Sequence, residues 1–248
     1  SCLTRGIPYV KSRKETYADF GESDLYGILG HRLTEATKIE ATILRHSLFL
    51  NVDGGFKRID LSTQAQFSPA FGAVVVDMDG DGHEDVFLSQ NFFAYQIETS
   101  RSDAGRGLWL KGDGTGVLKA VPGHESGVEV YGEQRGVAAA DFDSDGRIDL
   151  VVSQNGAPTK LYRNISAEPG FKLKKVIPVG GKVRVQYGDG TVGPIREIQV
   201  GSGYWSQNGA PTLGAGEGAK TIVIKWPDGS EFQLAIDDGE SVLIVRRD

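Results

Sequence analysis

Two stretches of nine residues, DMDGDGHED at 77–85 and DFDSDGRID at 141–149, set aspartate at positions 1, 3, 5 and 9 and glycine at position 6. Carboxylates at alternate positions of a tight turn can converge on one hard cation. Ca2+ takes six to eight oxygen ligands at roughly 2.3 to 2.6 Å, and glycine lets so short a backbone wrap around it. The spacing therefore predicts an oxygen-only calcium turn. Asp77, Asp79, Asp81 and Asp85 would ligate through side chains and His83 through its carbonyl. Asp141, Asp143, Asp145 and Asp149 repeat the set, with the carbonyl of Arg147. Four carboxylates within nine residues repel one another unless a cation joins them. One aspartate-glycine turn alone would read as a hairpin without metal; two matches in the same setting favour the ion.

The turns are not EF-hands, because position 12 holds Leu88 and Val152 where that motif needs glutamate. What surrounds them is β-prone. Residues 72–76 and 136–140 lead in as short apolar runs, and residues 86–88 and 150–152 lead out. Each unit thus reads strand, acidic turn, strand. Between the units lie SLFLNVDGGFKRIDL from Ser47, LWLKGDGTGVLKAV from Leu108 and LYRNISAEPGFKLKKV from Leu161, each an apolar strand, a glycine-bearing turn and a second strand. The alternation has a period of about 55 to 65 residues with roughly four strands per unit, which is the pattern of propeller blades. GDGTG at 112–116 and GAGEG at 214–218 read as turns, since neither opens a helix after a strand.

Upstream, residues 1–15 read as basic and irregular. Leu25, Ile28, Leu29, Leu33, Ala36, Ile39 and Ile43 recur at helical spacing and predict one amphipathic helix or two short ones across 23–44, weakened by Gly27 and Gly30. From Lys182 the chain becomes short alternating strands joined by Asp-Gly turns at 189, 228 and 238, a small β barrel or sandwich. Within it, GSGYWSQNGAP at 201–211 offers Tyr204 and Trp205 either as a flat binding platform or as a plug for the end of the barrel. The expected organisation is an irregular and helical segment at 1–46, about two blades at 47–175 and a separate β module at 176–248.

Glycine is the compositional outlier, 34 of 248 residues, which favours an all-β protein punctuated by turns. The formal charge is -6, and two bound Ca2+ would bring it to -6 + 4 = -2, so much of the acidity belongs to the turns. No basic stripe points to nucleic acid. A single cysteine, Cys2, excludes an internal disulfide and a thiolate metal cluster. No apolar run reaches the roughly 18 residues of a membrane span. With neither an initiator methionine nor a leader peptide, the sequence is expected to begin after processing or inside a longer protein.

With those motifs in view, the chain resembles the FG-GAP/VCBS repeats that form blades of integrin-α-type propellers. Phe71-Gly72 stands where the name-giving dipeptide would, and DxDxDGxxD followed by a strand occurs at both Asp77 and Asp141. The tail, with VRVQYGDG, REIQVGSGYWSQNGAP and IVIKWPDG, is similar to ASPIC/UnbV domains. The resemblance covers about residues 48–248 and implies a calcium-loaded β-propeller outside the cytoplasm that serves in adhesion, recognition or scaffolding. Three departures stand beside it. Only two intact turns are present, the turn at Asp53 lacks the aspartates, and Thr212-Leu213-Gly214-Ala215-Gly216 replaces a His-Phe-Gly-Leu-Gly run.

The expected function is an extracellular or periplasmic calcium-binding module that takes a protein or glycan ligand, or joins further blades of its own or another chain. Calcium turns of this open kind suit millimolar calcium. A calcium-assisted polysaccharide lyase or hydrolase is the catalytic alternative. It lacks a visible acid/base pair: His31, His46, His83 and His124 are scattered, and neither GxSxG nor HExxH occurs. A structural subunit of a larger assembly is the third reading. Asn164-Ile165-Ser166 is a glycosylation sequon that matters only in a eukaryotic secretory setting.

Overall fold

Residues 2–174, 177–199, 201, 203, 212–213, 218–237 and 242–244 are described by a computed structural model. The chain divides into two compact units, Ser1–Leu44 and Arg45–Asp248. The expectations placed on Tyr204, Trp205, the Asp238-Gly239 turn and the 214–216 run fall outside the described residues.

The first unit is helical where the sequence reads as irregular. α1 (Cys2–Gly6) and α2 (Pro8–Arg13) precede α3 (Tyr17–Gly21) and α4 (Leu25–Leu29). Pro8 presets the first turn of α2, and Val10 is wholly buried. Thr16 and Asp24 cap α3 and α4, accepting from the N–H of Asp19 at 3.1 Å and of Gly27 at 2.6 Å. The helix expected across 23–44 stops at Leu29. Gly30 adopts φ 59°, a conformation that ends an α-helix, and the chain continues as a single 3-10 segment, Gly30–Thr34. Beyond it Ile39 is 91% exposed and Leu44 87%, so the second half of the apolar stripe has no surface to bury against and forms no helix.

The second unit is mainly β. β1 (Ser47–Val52) and β2 (Gly55–Asp60) form a hairpin. β3 (Ala70–Val76), β4 (Asp85–Gln90), β5 (Leu108–Gly112) and β6 (Leu118–Val121) form an antiparallel sheet in sequence order, and β7 (Glu133–Ala140), β8 (Asp149–Asn155) and β9 (Ala157–Tyr162) form a three-stranded one. A one-turn helix, α5 (Gly123–Ser126), lies between these sheets in sequence. The two sheets are repeats of one another. Val76 pairs with Asp85 and Ala140 with Asp149, so each acidic turn closes its hairpin in the same register. In each first strand a register shift falls at the corresponding place, around Phe71-Gly72 and Arg135-Gly136. There the N–H of Gly72 donates to Ser89 Oγ at 2.8 Å and that of Gly136 to Ser153 Oγ at 2.9 Å.

Val74, Phe87, Val137, Leu150 and Val152 pack in one buried cluster, so the two sheets share a core. A second cluster, Ala65, Leu88 and Leu110, fills another part of the first sheet. Gly72 is needed where the sheets meet: a Cβ there would lie 3.0 Å from the Arg135 carbonyl oxygen and 2.7 Å from Ser89 Oγ. Arg135 stacks its guanidinium 4.1 Å over the Phe71 ring, joining equivalent positions of the two repeats.

The tail strands are β10 (Phe171–Lys174), β11 (Lys182–Tyr187), β12 (Arg196–Glu197), β13 (Thr212–Leu213), β14 (Ala219–Lys225), β15 (Glu231–Ala235) and β16 (Val242–Ile244). They form two sheets, in the orders β12-β11-β14-β15 and β13-β10-β16. β10 thus pairs with tail strands, ahead of the boundary expected at residue 176. Ile177, Val183, Ile222, Ile224 and Trp226 form the tail core. The unit is therefore several sheets, antiparallel except where β10 and β16 run parallel, and among the described residues neither a closed propeller nor a closed barrel is formed.

Candidate metal centres

Each acidic turn is built on backbone hydrogen bonds to its own carboxylates. Asp77, almost fully buried, accepts from the N–H of Gly80 at 2.8 Å and of Asp81 at 3.1 Å on Oδ1, and from Gly82 at 2.9 Å on Oδ2. Asp141 repeats this with Asp145 at 3.0 Å and Gly146 at 3.2 Å. The position-6 glycines, Gly82 and Gly146, have φ 88° and 86°, which an L side chain resists. Position 5 caps the N–H two residues on: Asp81 Oδ1 accepts from His83 and Asp145 Oδ1 from Arg147, both at 2.9 Å.

Position 9 has a role that spacing alone did not reveal. Asp85 accepts from the N–H of Met78 at 3.0 Å and, across the sheet, of Gly112 at 2.8 Å. Asp149 accepts from Phe142 at 3.0 Å and Asn164 at 2.8 Å. Both therefore buckle the turn to the end of the third strand. Burial pushes the Asp85 carboxyl up to about 6, against the lowering effect of the Gly112 and Met78 N–H groups. Burial raises Asp77 as well, against the nearby Arg196.

Three carboxylates per turn bring ligand atoms within 4.8 Å of one another: Asp77, Asp79 and Asp81 in the first, Asp141, Asp143 and Asp149 in the second. Asp79 Oδ1 is buried and has no hydrogen-bond partner. An acceptor left in that state has room for a donor or a cation. A donor set made only of carboxylates suits a hard ion of the calcium type rather than a thiophilic one. In the second turn Asp145 is drawn aside, its Oδ2 lying 3.2 Å from both Arg147 Nη1 and Arg163 Nη2. His83, at the same position as Arg147, packs its ring against Gly114 instead.

Three further basic side chains meet the turns. Lys111 on β5 contacts Asp79 and lies 3.1 Å from Asp81 Oδ2. Arg163, just after β9, contacts Asp143 and Asp145. Arg196 on β12 pairs with Glu84 and stands 3.8 Å from Asp77 Oδ2, fastening the tail to the first turn. Aligned on their first leucines, LWLKG and LYRN set Lys111 over Asn164; the N–H groups that Gly112 and Asn164 give to position 9 set it over Arg163, so the pair had no signal in the sequence.

One segment ties the turns together. The Asn164 side chain donates to Met78 O at 2.7 Å and Ile148 O at 3.1 Å, Glu168 N to Asp79 O at 3.2 Å, and Gly170 N to Gly146 O at 2.7 Å. Beside the first turn a cleft of about 890 Å3 opens between Leu50, Val117 and His83 on the repeat side and Tyr187, Val192 and Pro194 of the tail. Among the described residues no helix is long and apolar enough to cross a membrane.

Fold and site together define a β protein of repeated antiparallel sheets with two acidic turns able to hold metal ions. Over 212 residues the chain is 30% identical to cartilage acidic protein 1 of Xenopus tropicalis, a match that takes in 79% of this chain and 32% of that protein. The chain is related to that protein in sequence and spans about a third of its length. No family model matches the sequence.

Proposed function

We propose that this chain is an extracytoplasmic calcium-binding module of FG-GAP/VCBS blade type with an ASPIC/UnbV-like tail. Its work is binding, adhesion or scaffolding rather than catalysis. The observation that carries the reading is the duplicated turn: the same aspartate spacing, the same backbone hydrogen bonds to positions 1, 5 and 9, and a buried carboxylate oxygen of Asp79 without a partner. Side chains of Asp77, Asp79, Asp81 and Asp85, and of Asp141, Asp143, Asp145 and Asp149, would hold the ions, with the carbonyls of His83 and Arg147. A bound ion supplies charge neutralisation and stiffness to the turn. The chain's own residues do the rest: Asp85 and Asp149 lock each turn to its sheet, and residues 164–170 bind the turns to each other. The cleft beside the first turn is where a protein or glycan ligand would meet the stiffened surface.

Open sheet edges support the further reading that the chain completes its blades with other polypeptide. Among the described residues the second repeat has three strands where the first has four, and β9 is exposed along most of its length.

Calcium removal tests the metal. Binding to the folded form alone stabilises it by about 2.7 kcal/mol per site at a hundredfold excess over Kd. For a chain of this size that is a melting shift of roughly 5 to 10 °C per site. Dialysis against a chelator should lower the melting temperature by that order and calcium should restore it, with two ions per chain by elemental analysis. An unchanged melt with no ion bound removes the calcium reading.

A further inference from the structure

Lys111 and Arg163 differ in chemistry and come from separate repeats, yet each meets the same two positions of its own turn. Lys111 lies on Asp79 and Asp81, Arg163 on Asp143 and Asp145. Their register is fixed by the main chain. Each immediately precedes the N–H that the position-9 aspartate accepts, Gly112 in one repeat and Asn164 in the other, both at 2.8 Å. The side chains are 43% and 61% exposed, so either can swing into water without opening a core. The carboxylates at positions 1 and 9 have no such freedom, because backbone N–H groups hold them from several sides.

We propose that Lys111 and Arg163 are tethered counter-ions. They hold the position-3 and position-5 carboxylates of a turn that carries no divalent cation, and they leave when one binds, so that they set the metal affinity of their turns. The inference rests on the metal reading given above. A basic group between two carboxylates occupies the lone pairs that a metal would take, and once displaced it still repels the ion. Being part of the chain, it competes at a high effective concentration. Both effects weaken binding and suit the turns to surroundings rich in calcium. The same tether relieves carboxylate repulsion before any ion arrives. The second turn, with Arg147 and Arg163 both on Asp145, is the weaker site.

The test uses the 248-residue chain with Lys111→Gln and Arg163→Gln, calcium titration by calorimetry, and melts in chelator and in saturating calcium. Each variant should tighten one of two sites about tenfold and leave the other unchanged. Each should melt earlier than the parent in chelator and level with it in calcium. Lys111→Arg should restore both the weaker affinity and the metal-free melt. If the parent binds two ions and the variants bind with equal or lower affinity, or if the loss of melting temperature is the same with and without calcium, the exchange is wrong and the cations are merely structural. If neither parent nor variants bind calcium, the metal reading fails and takes this inference with it.

Discussion

Replacing Asn164 with alanine probes the joint between the two turns. The side chain makes four hydrogen bonds: Nδ2 donates to Met78 O and Ile148 O, and Oδ1 accepts from the N–H of Ser166 at 3.2 Å and of Ala167 at 3.1 Å. At a net contribution of about 1 kcal/mol each, and with some carbonyls regaining water, the loss comes to roughly 2 to 4 kcal/mol. For a chain of this length that lowers the melting temperature on the order of 10 °C. Urea denaturation followed by fluorescence should show a lower midpoint at unchanged slope, since the surface exposed on unfolding is the same. Asn164→Asp should fare no better, because it keeps the acceptor but turns a carboxylate toward two carbonyls. An alanine variant within about 0.5 kcal/mol of the parent refutes the reasoning. The same geometry bears on the sequon: a glycan on Nδ2 replaces one of its two hydrogens, so glycosylation at Asn164 would cost one of the two donated bonds.

Two other perturbations follow from packing and charge. Gly72→Ala puts a Cβ against the Arg135 carbonyl and should cost about 1 to 3 kcal/mol, because the backbones of two sheets must part. Gly54→Ala, at φ 79° with nothing within 4 Å, should cost only the backbone strain of about 1 kcal/mol, and urea midpoints rank the two. Glu133 titrates below its ordinary value. Burial alone would raise it, but the N–H of Phe93, the Asn155 amide and Arg135 outweigh burial. A depressed carboxylate contributes stability that is present above the unfolded value of 4.5 and fades as pH falls through the folded one. Glu133→Gln should therefore lose about 2 kcal/mol at pH 7, with the gap to the parent closing in melts taken progressively below that value.

The turns were legible because their chemistry is local. Aspartate at alternate positions with glycine at position 6 fixes a backbone path within nine residues, and the flanking apolar runs can only be strands. The tail strands β11 and β14 were legible for the same reason, each an alternating run closed by an Asp-Gly turn, and β15 was legible as an alternating run. The third-strand cations were hidden by loop length. Residues 91–107 separate β4 from β5, whereas β8 and β9 are separated by Gly156 alone, so a constant spacing from the turn aligns Lys111 with Lys175 and not with Arg163. The apolar stripe beyond Gly30 misled because periodicity records where a helix could bury a face, while a glycine at positive φ decides whether the helix reaches it.

The four aspartates of each turn do different work, and the division follows from what holds them. Position 1 is surrounded by the N–H groups of its own turn, and position 9 is clamped between position 2 and the third strand, so these carboxylates are frame before they are ligand. Positions 3 and 5 face the basic side chains of the third strand instead, and those contacts can be exchanged for a metal without unmaking the frame. A turn that had to bind its ion in order to fold would need all four carboxylates free. This one is already framed by backbone and neutralised by lysine or arginine, which leaves the ion to stiffen a surface that exists without it. A bound ion would then act on rigidity at the cleft and at the joint through Asn164, while the fold itself is carried by the shared core of the two sheets.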